Sequence, residues 1–154
     1  KLGEEFPIYF AINALALGAA SMINAKLVMI YGMRYLSMRA MGTFCVIAVA
    51  FLPVVIAYDG VPPLWAFMAF CMSSFFCVSI LFGNLNAMAM EPMGKIAGMA
   101  AALIGSVSTF ISLPIGVAIG QLFDGTLLPM VASFAVIGAA AFALLYKTSK
   151  ISEE

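Results

Sequence analysis

Few residues in this 154-residue chain can do covalent chemistry. The chain has no histidine, and its three cysteines, Cys45, Cys71 and Cys77, lie in apolar runs without a C-x-x-C spacing. We therefore expect neither a metal site nor a disulfide. Acidic residues occur only at the ends of apolar segments or in turns, and no serine lies beside a candidate base. This pattern predicts that the chain is not an enzyme and needs no cofactor.

Polar side chains inside the apolar segments are the other candidates for function. An amide or hydroxyl that faces lipid has no hydrogen-bond partner, so such groups are expected to face protein, water or a ligand. The third apolar segment carries a cluster at Ser73, Ser74, Phe75 and Phe76 that fits the lining of a cavity. An ordinary packed helix explains the same cluster equally well.

The composition shows which elements must hold these side chains. Hydrophobic residues make up 65% of the chain and charged residues 9%, with a mean hydropathy of +1.14. Soluble domains contain roughly 25% charged residues, so the composition predicts an all-α, polytopic membrane protein whose main partner is the lipid bilayer. The net charge is zero and gives no reason to expect a nucleic-acid partner. Because residue 1 is lysine, we expect a trimmed start or a piece of a longer protein.

Five apolar segments are long enough to cross a hydrocarbon core of about 30 Å. They belong to one membrane domain over residues 1–154 and predict helices at about 6–30, 41–58, 64–83, 96–123 and 129–146. A short basic loop is expected at 30–40. Turns without lysine or arginine are expected at Asp59-Gly60 and Asp124-Gly125.

Basic residues are distributed asymmetrically over these segments. With five crossings, six of the seven basic residues fall on one side of the membrane, which should be the cytoplasmic side. They are Lys26, Arg34, Arg39, Lys95, Lys147 and Lys150. The N-terminus is then outside and the C-terminus is in the cytoplasm.

Two segments carry small residues at helical spacing, so that these residues share a face on which another backbone can approach closely. The strips comprise Asn13, Ala16, Ala20 and Asn24 on the first segment, and Ser108, Ser112, Gly116 and Gly120 on the fourth. Small residues are also common in any packed membrane helix.

Pro114 lies within the fourth segment. Its ring and missing N–H should free the carbonyl of Phe110 and bend the helix. We expect the hydroxyl of Thr109 or Ser112 to satisfy the freed backbone.

Two stretches carry a resemblance to a known family. They read FAINALALGAASMINAKLVMIYGMR at 10–34 and NAMAMEPMGKIAGMAAALIGSVSTFISLPIGVAIGQLFDGT at 86–126. They resemble the C-terminal half of the major facilitator superfamily, in particular the Bcr/CflA (bicyclomycin/chloramphenicol resistance) group of drug-resistance transporters, from about helix eight to helix twelve. The residues that resemble the second copy of the loop motif G-x-L-x-D-R-x-G-R-R are Ala25, Leu27, Gly32 and Arg34. Met29 and Ile30 replace the motif's Asp and Arg, which makes this copy degenerate.

The resemblance implies an incomplete C-terminal half of a proton-coupled antiporter that exports small amphipathic drugs across the bacterial inner membrane by alternating access. Its partners would be the N-terminal half, protons and the drug. The two small-residue strips would then pack against the other half. The implied substrate path consists of Asn13, Ser73, Ser74, Phe75, Phe76 and Asn84. Helices that supply most of the proton coupling would lie outside this chain.

Two other functions remain open. The first is a transporter of the same fold that carries a metabolite instead of a drug, and a transport assay would separate it from a drug exporter. A small membrane scaffold or subunit would associate through the small-residue faces without transporting anything. Upstream coding sequence for seven more helices would count against that second alternative.

Overall fold

The chain is almost entirely helical in its computed structural model, which describes residues 6–151. Its α-helices are α1 (Phe6–Tyr31), α2 (Met33–Ala57), α3 (Leu64–Met90), α4 (Ala97–Gln121) and α5 (Leu128–Ile151), and a 3-10 turn at Glu91–Ile96 joins α3 to α4. Within the described residues, four continuous helical stretches are long and apolar enough to cross a membrane. One of them, the 58-residue Leu64–Gln121 stretch, contains both α3 and α4. The prediction of an all-helical chain with apolar helices of membrane-spanning length is confirmed.

The basic loop predicted at 30–40 is wrong. Only Gly32, with a φ of 78°, interrupts the helix, and α2 begins at Met33 instead of residue 41. Arginine is a good helix former, so charge alone does not end a helix that reaches the membrane surface. Arg39 lies along its own helix and donates from Nε to the hydroxyl oxygen of Tyr35 at 3.0 Å. A single glycine at positive φ is therefore the whole connection between α1 and α2.

The predicted end of the third helix near Gly83 is also wrong, since α3 continues to Met90. Asparagine disfavours helix interiors because its amide competes for backbone groups. Asn84 is instead hydrogen-bonded to another helix, and Asn86 donates to the carbonyl of Phe82 one turn back. The α-helix ends only where Pro92 opens the 3-10 turn. The last helix likewise runs past the predicted residue 146, to Ile151.

Packing is concentrated in four of the helices. α2 packs against α3 and α5, and α1 packs mainly against α3, whereas α4 touches α3 and α5 only sparingly. One apolar cluster joins Phe51 and Val55 of α2 to Phe70 of α3 and Val131 of α5. The rings of Phe51 and Phe70 stack with centroids 4.4 Å apart. A second cluster around Leu36 and Ile80 continues the α2–α3 contact.

The turns after α2 and α4 meet at one end of the bundle. The backbone N–H of Leu127 donates to the carbonyl of Gly60 at 2.8 Å. Gly60 is buried with a φ of 85°, and a Cβ there would overlap the side chain of Thr126. We refer to this contact of Gly60 with Thr126 and Leu127 as the turn clamp. Both sequences predicted to form turns do so.

Asp124 organises its half of the turn clamp. Its Oδ1 accepts hydrogen bonds from the hydroxyl and the backbone N–H of Thr126, at 2.6 and 3.0 Å. These bonds hold the pKa of the Asp124 carboxyl below its ordinary value. The stabilisation they give is present above the carboxyl's unfolded pKa and is lost only as the pH falls through the lowered folded value. This contribution is therefore fully present at neutral pH.

Candidate functional site

An amide pair joins α1 to α3 inside the bundle. Asn24 Nδ2 donates to Asn84 Oδ1 at 2.9 Å, and Asn84 Nδ2 donates to Asn24 Oδ1 at 3.0 Å. Asn84 is buried, with 2% of its surface exposed. Sequence reasoning gave these two residues separate roles, one on a packing strip and one on a substrate path. Their pairing depends on how α1 and α3 are aligned, which spacing along one helix does not reveal.

A second polar link between α1 and α3 was missed by the sequence analysis. The hydroxyl of Ser79 donates to the carbonyl of Leu17 at 3.1 Å. Ala20, one turn along α1, is fully buried. Much of the predicted α1 strip is therefore occupied by contacts within the chain. In the sequence, the only indication of this link was the position of Ser79, little more than one turn before Asn84 on the same helix.

Two buried polar atoms have no hydrogen-bond partner among the described residues. They are Asn13 Oδ1 and Ser74 Oγ. The amide nitrogen of Asn13 donates to the carbonyl of Tyr9 at 3.0 Å, which leaves its oxygen unused. A buried group without a partner costs about 1–3 kcal/mol, unless water or a ligand reaches it. Both residues were predicted on the substrate path, and both retain hydrogen-bonding capacity.

The Ser73–Phe76 cluster is divided between different faces of α3. Ser73 and Phe76 line a 350 Å³ cavity together with Ala16 and Thr43, whereas Ser74 and Phe75 do not. Phe75 is 39% exposed on the bundle surface. Consecutive residues of a helix point about 100° apart, so a run of four cannot line one cavity.

The small-residue strip on α4 is uncovered in the described chain. Ser108, Ser112, Gly116 and Gly120 are all exposed. A Cβ added at Gly116 or Gly120 would meet no atom within 4 Å. Ala100 is the one α4 residue that is buried among those described. The strip is thus available for contact with something outside this chain.

A cleft of 570 Å³ with a mainly apolar lining lies between α3 and α4. Its polar lining comes from Asn86 on α3 and from Ser108, Thr109 and Ser112 on α4. Asn86 and Thr109 were not predicted as site residues. The available signal was the break at Pro92 and Gly94, because an interrupted helix can bring residues from both sides of the interruption to one cleft.

α4 continues as one helix through Pro114. The hydroxyl of Thr109 donates to the carbonyl of Gly105 at 2.8 Å, and that of Ser112 donates to the carbonyl of Thr109 at 3.4 Å. Neither satisfies the carbonyl of Phe110, so that part of the prediction is wrong. A serine or threonine hydroxyl on a helix bonds a carbonyl three or four residues earlier in the chain. Residue 110 is at neither distance before position 109 or position 112.

The residues of the degenerate loop motif lie near the junction of α1 and α2. Gly32 makes the break, Leu27 packs against the apolar cluster around Leu36, and Ala25 is exposed. Arg34 lines a separate cleft of 610 Å³ at this end of the bundle. The described residues contain no group of three His, Cys, Asp or Glu side chains placed to hold a metal ion.

Comparison with protein-family models, with curated proteins and with solved structures finds no match to this chain. The fold and the geometry define the class of protein: an all-helical chain with helices of membrane-spanning length. The family suggested by the sequence stays a prediction.

Proposed function

We propose that this chain is part of a proton-coupled transporter that exports small amphipathic drugs by alternating access. The drug class, the coupling to protons and the bacterial inner membrane rest on the resemblance to drug-resistance transporters of the major facilitator superfamily. The observation that carries a transport function is the uncovered small-residue strip of α4 beside the cleft between α3 and α4. A face of small residues lets a second bundle rock against this one. The few hydroxyl and amide groups in the mainly apolar cleft at that face suit an amphipathic ligand.

The proposal includes five membrane crossings. The Leu64–Gln121 stretch has 58 residues. As one helix it would be about 87 Å long, nearly three times the thickness of a hydrocarbon core of about 30 Å. Met93 has non-helical dihedral angles, and the cleft beyond it is lined by both α3 and α4. These observations support two crossings that fold back on each other at the 3-10 turn.

The arrangement of charges supports an N-terminus outside and a C-terminus in the cytoplasm. Arg34, Glu91 and Ser149 line one cleft, so the α1–α2 junction, the 3-10 turn and the end of α5 share one end of the bundle. A chain that crosses the membrane five times must place these three elements on the same side. The positive-inside rule assigns this basic end to the cytoplasm. The turn clamp then lies on the periplasmic side.

This topology predicts which positions an impermeant thiol reagent reaches in intact cells. In a variant without Cys45, Cys71 and Cys77, Asp59→Cys should be labelled from outside. Lys95→Cys should be labelled only after the cells are permeabilised, because it lies in the 3-10 turn at the basic end. Labelling of Lys95→Cys in intact cells would contradict the orientation.

Leucine on the α4 strip should impair transport without destabilising the chain. A Cβ added at Gly116 or Gly120 has no atom of this chain within 4 Å, and leucine favours helix by roughly 1 kcal/mol over glycine. A bulky side chain holds an approaching backbone away, so we expect transport to fall about tenfold or more. Drug accumulation in cells that express the transporter containing this chain measures the effect.

Ala139→Leu is the matched control, since Ala139 is an exposed small residue on α5. It should leave transport unchanged at equal expression. Equal transport by the control and the α4 variants would remove the interface assignment. A lower melting temperature of the isolated Gly116→Leu chain would instead place the contact inside the chain.

The uncovered strip also fits the second candidate, a membrane scaffold subunit that associates through α4. In that case cysteines placed at Gly116 should cross-link two copies of the chain or the chain to another subunit, and the α4 variants should lose association without any change in drug accumulation.

A further inference from the structure

Methionines are concentrated at one end of the bundle. Eight of the twelve lie in two short stretches, four within 29–41 and four within 88–99. These stretches contain the α1–α2 junction and the 3-10 turn, which border the same cleft. By contrast, residues 100–151 contain only Met130, although they form most of two long apolar helices. A need for apolar bulk therefore does not explain why methionine is concentrated at this end.

Three of these methionines line one cleft of 610 Å³. Met33 and Met38 come from α2, Met88 comes from α3, and all three are half-buried. Met29 and Met99, in contrast, are 84% and 73% exposed and line no part of this cleft. The packing of α2 against α3 thus brings thioethers from two helices to one partly shielded space.

Thioether sulfur is a soft, uncharged metal ligand. It selects Cu(I), whereas Mg²⁺ and Ca²⁺ prefer oxygen ligands and Zn²⁺ is bound by thiolate, imidazole and carboxylate. Methionine has three rotatable side-chain bonds, so half-buried sulfur atoms can turn towards an ion in the cleft. The expectation of no metal site followed from histidine and cysteine and did not take thioethers into account.

The other side chains of the cleft suit a monovalent cation. Arg34 and Glu91 contribute one charge of each sign, so the charges of the lining offset each other. Tyr31 and Tyr35, which line the same cleft, stack with ring centroids 5.8 Å apart, and the face of an aromatic ring attracts a cation. A divalent ion usually needs several anionic ligands, which this lining does not supply, whereas neutral sulfur can hold a soft ion of single charge.

We propose that the cleft binds one Cu(I) ion through the thioether sulfurs of Met33, Met38 and Met88. Ag(I) has the same charge and the same preference for sulfur, and it serves as an analogue that air does not oxidise. The site lies apart from the α4 strip and the α3–α4 cleft. The inference is therefore independent of any transport activity and of the orientation in the membrane.

The test is Ag(I) binding to the purified full chain in detergent, measured by isothermal titration calorimetry in chloride-free buffer. A variant with Cys45, Cys71 and Cys77 changed to alanine removes competing thiols. We expect this cysteine-free chain to bind one Ag(I) with equal affinity at about pH 5.5 and about pH 7.5, because a thioether has no proton to lose. No binding, or binding that weakens about tenfold at the lower pH, would overturn the proposal.

Leucine at the three positions should remove the site without unfolding the chain. In the cysteine-free chain, Met33→Leu, Met38→Leu and Met88→Leu should each weaken Ag(I) binding about tenfold or more, and the triple variant should not bind. Leucine has nearly the volume of methionine, and an unchanged circular dichroism spectrum shows that each variant is folded. Met29→Leu and Met99→Leu are the matched controls and should bind as the parent does. Equal losses in the controls would mean adsorption to exposed methionines and no defined site.

A second measurement identifies the ligands directly. X-ray absorption of the cysteine-free chain loaded with Cu(I) should show a first shell of sulfur without nitrogen or oxygen. Zn²⁺ should not displace Ag(I) even at about hundredfold excess, since its preferred ligands are absent from the proposed set. A shell of nitrogen or oxygen, or displacement of Ag(I) by Zn²⁺, would exclude the thioether site.

Discussion

Gly60→Ala is expected to lower the free energy of unfolding by about 2–5 kcal/mol, the sum of a backbone and a packing cost. The backbone cost arises because Gly60 has a φ of 85°, where a residue with a Cβ is strained. The packing cost arises because the new methyl would lie 2.7 Å from Thr126 Cγ2 and still closer to Thr126 Cβ. Thr126 cannot easily withdraw, since it bonds both Asp124 and the first turn of α5.

Gly125→Ala separates these two costs. Gly125 has a φ of 91°, but a Cβ there would meet nothing within 4 Å. It should therefore show only the backbone cost, about 1–2 kcal/mol. Unfolding of both variants in detergent, followed by circular dichroism, gives the comparison. Equal losses in the two variants would show that the turns after α2 and α4 are not held together.

Asn84→Leu should destabilise the chain by about 1–2 kcal/mol, because it leaves the amide of Asn24 unpaired between two apolar helices. Interhelical side-chain bonds in membranes average about 0.6 kcal/mol, since an unpaired group often finds another partner. Asn84 makes two reciprocal bonds and has 2% of its surface exposed, so we expect a loss above that average. The same unfolding measurement in detergent applies.

The double variant Asn24→Leu/Asn84→Leu should be more stable than the sum of the single variants predicts, because no amide is then left buried without a partner. Asn86→Leu is the control on the same helix, since the amide of Asn86 donates to the carbonyl of Phe82 within α3 and not to another helix. Additive losses in the double variant would mean that the two amides do not act as a pair.

The helices themselves were predictable because each apolar run has a length that only a membrane or a large core explains. The turns at Gly60 and Gly125 were also predictable, since Asp-Gly is a local signal that needs no information about the rest of the fold. The error at the end of α3 occurred because a side chain is satisfied at a distance. Asn84 looked like a helix end because its partner, Asn24, is 60 residues away along the chain.

The candidate site was predictable only one helix at a time. Spacing placed Gly116 and Gly120 on one face of α4, and the structure leaves that face uncovered. Spacing did not show that Ala20 is buried within the chain, nor that Asn86 lies across a cleft from α4. Those facts depend on which helices are neighbours, and a periodic pattern indicates a face without indicating what meets it.

The sparing contact of α4 with the other helices has a consequence for how sequence changes act on this chain. Because α4 has a single buried residue among those described, Ala100, nearly all of its side chains can be exchanged for other apolar ones without disturbing the packing of α2, α3 and α5. A library of apolar substitutions along α4 would therefore fold about as well as the parent chain, whereas the same kind of library along α2 would not. A screen for folding would not detect the effects of substitutions on α4. Their importance can be measured only in an assay in which α4 contacts a partner outside this chain.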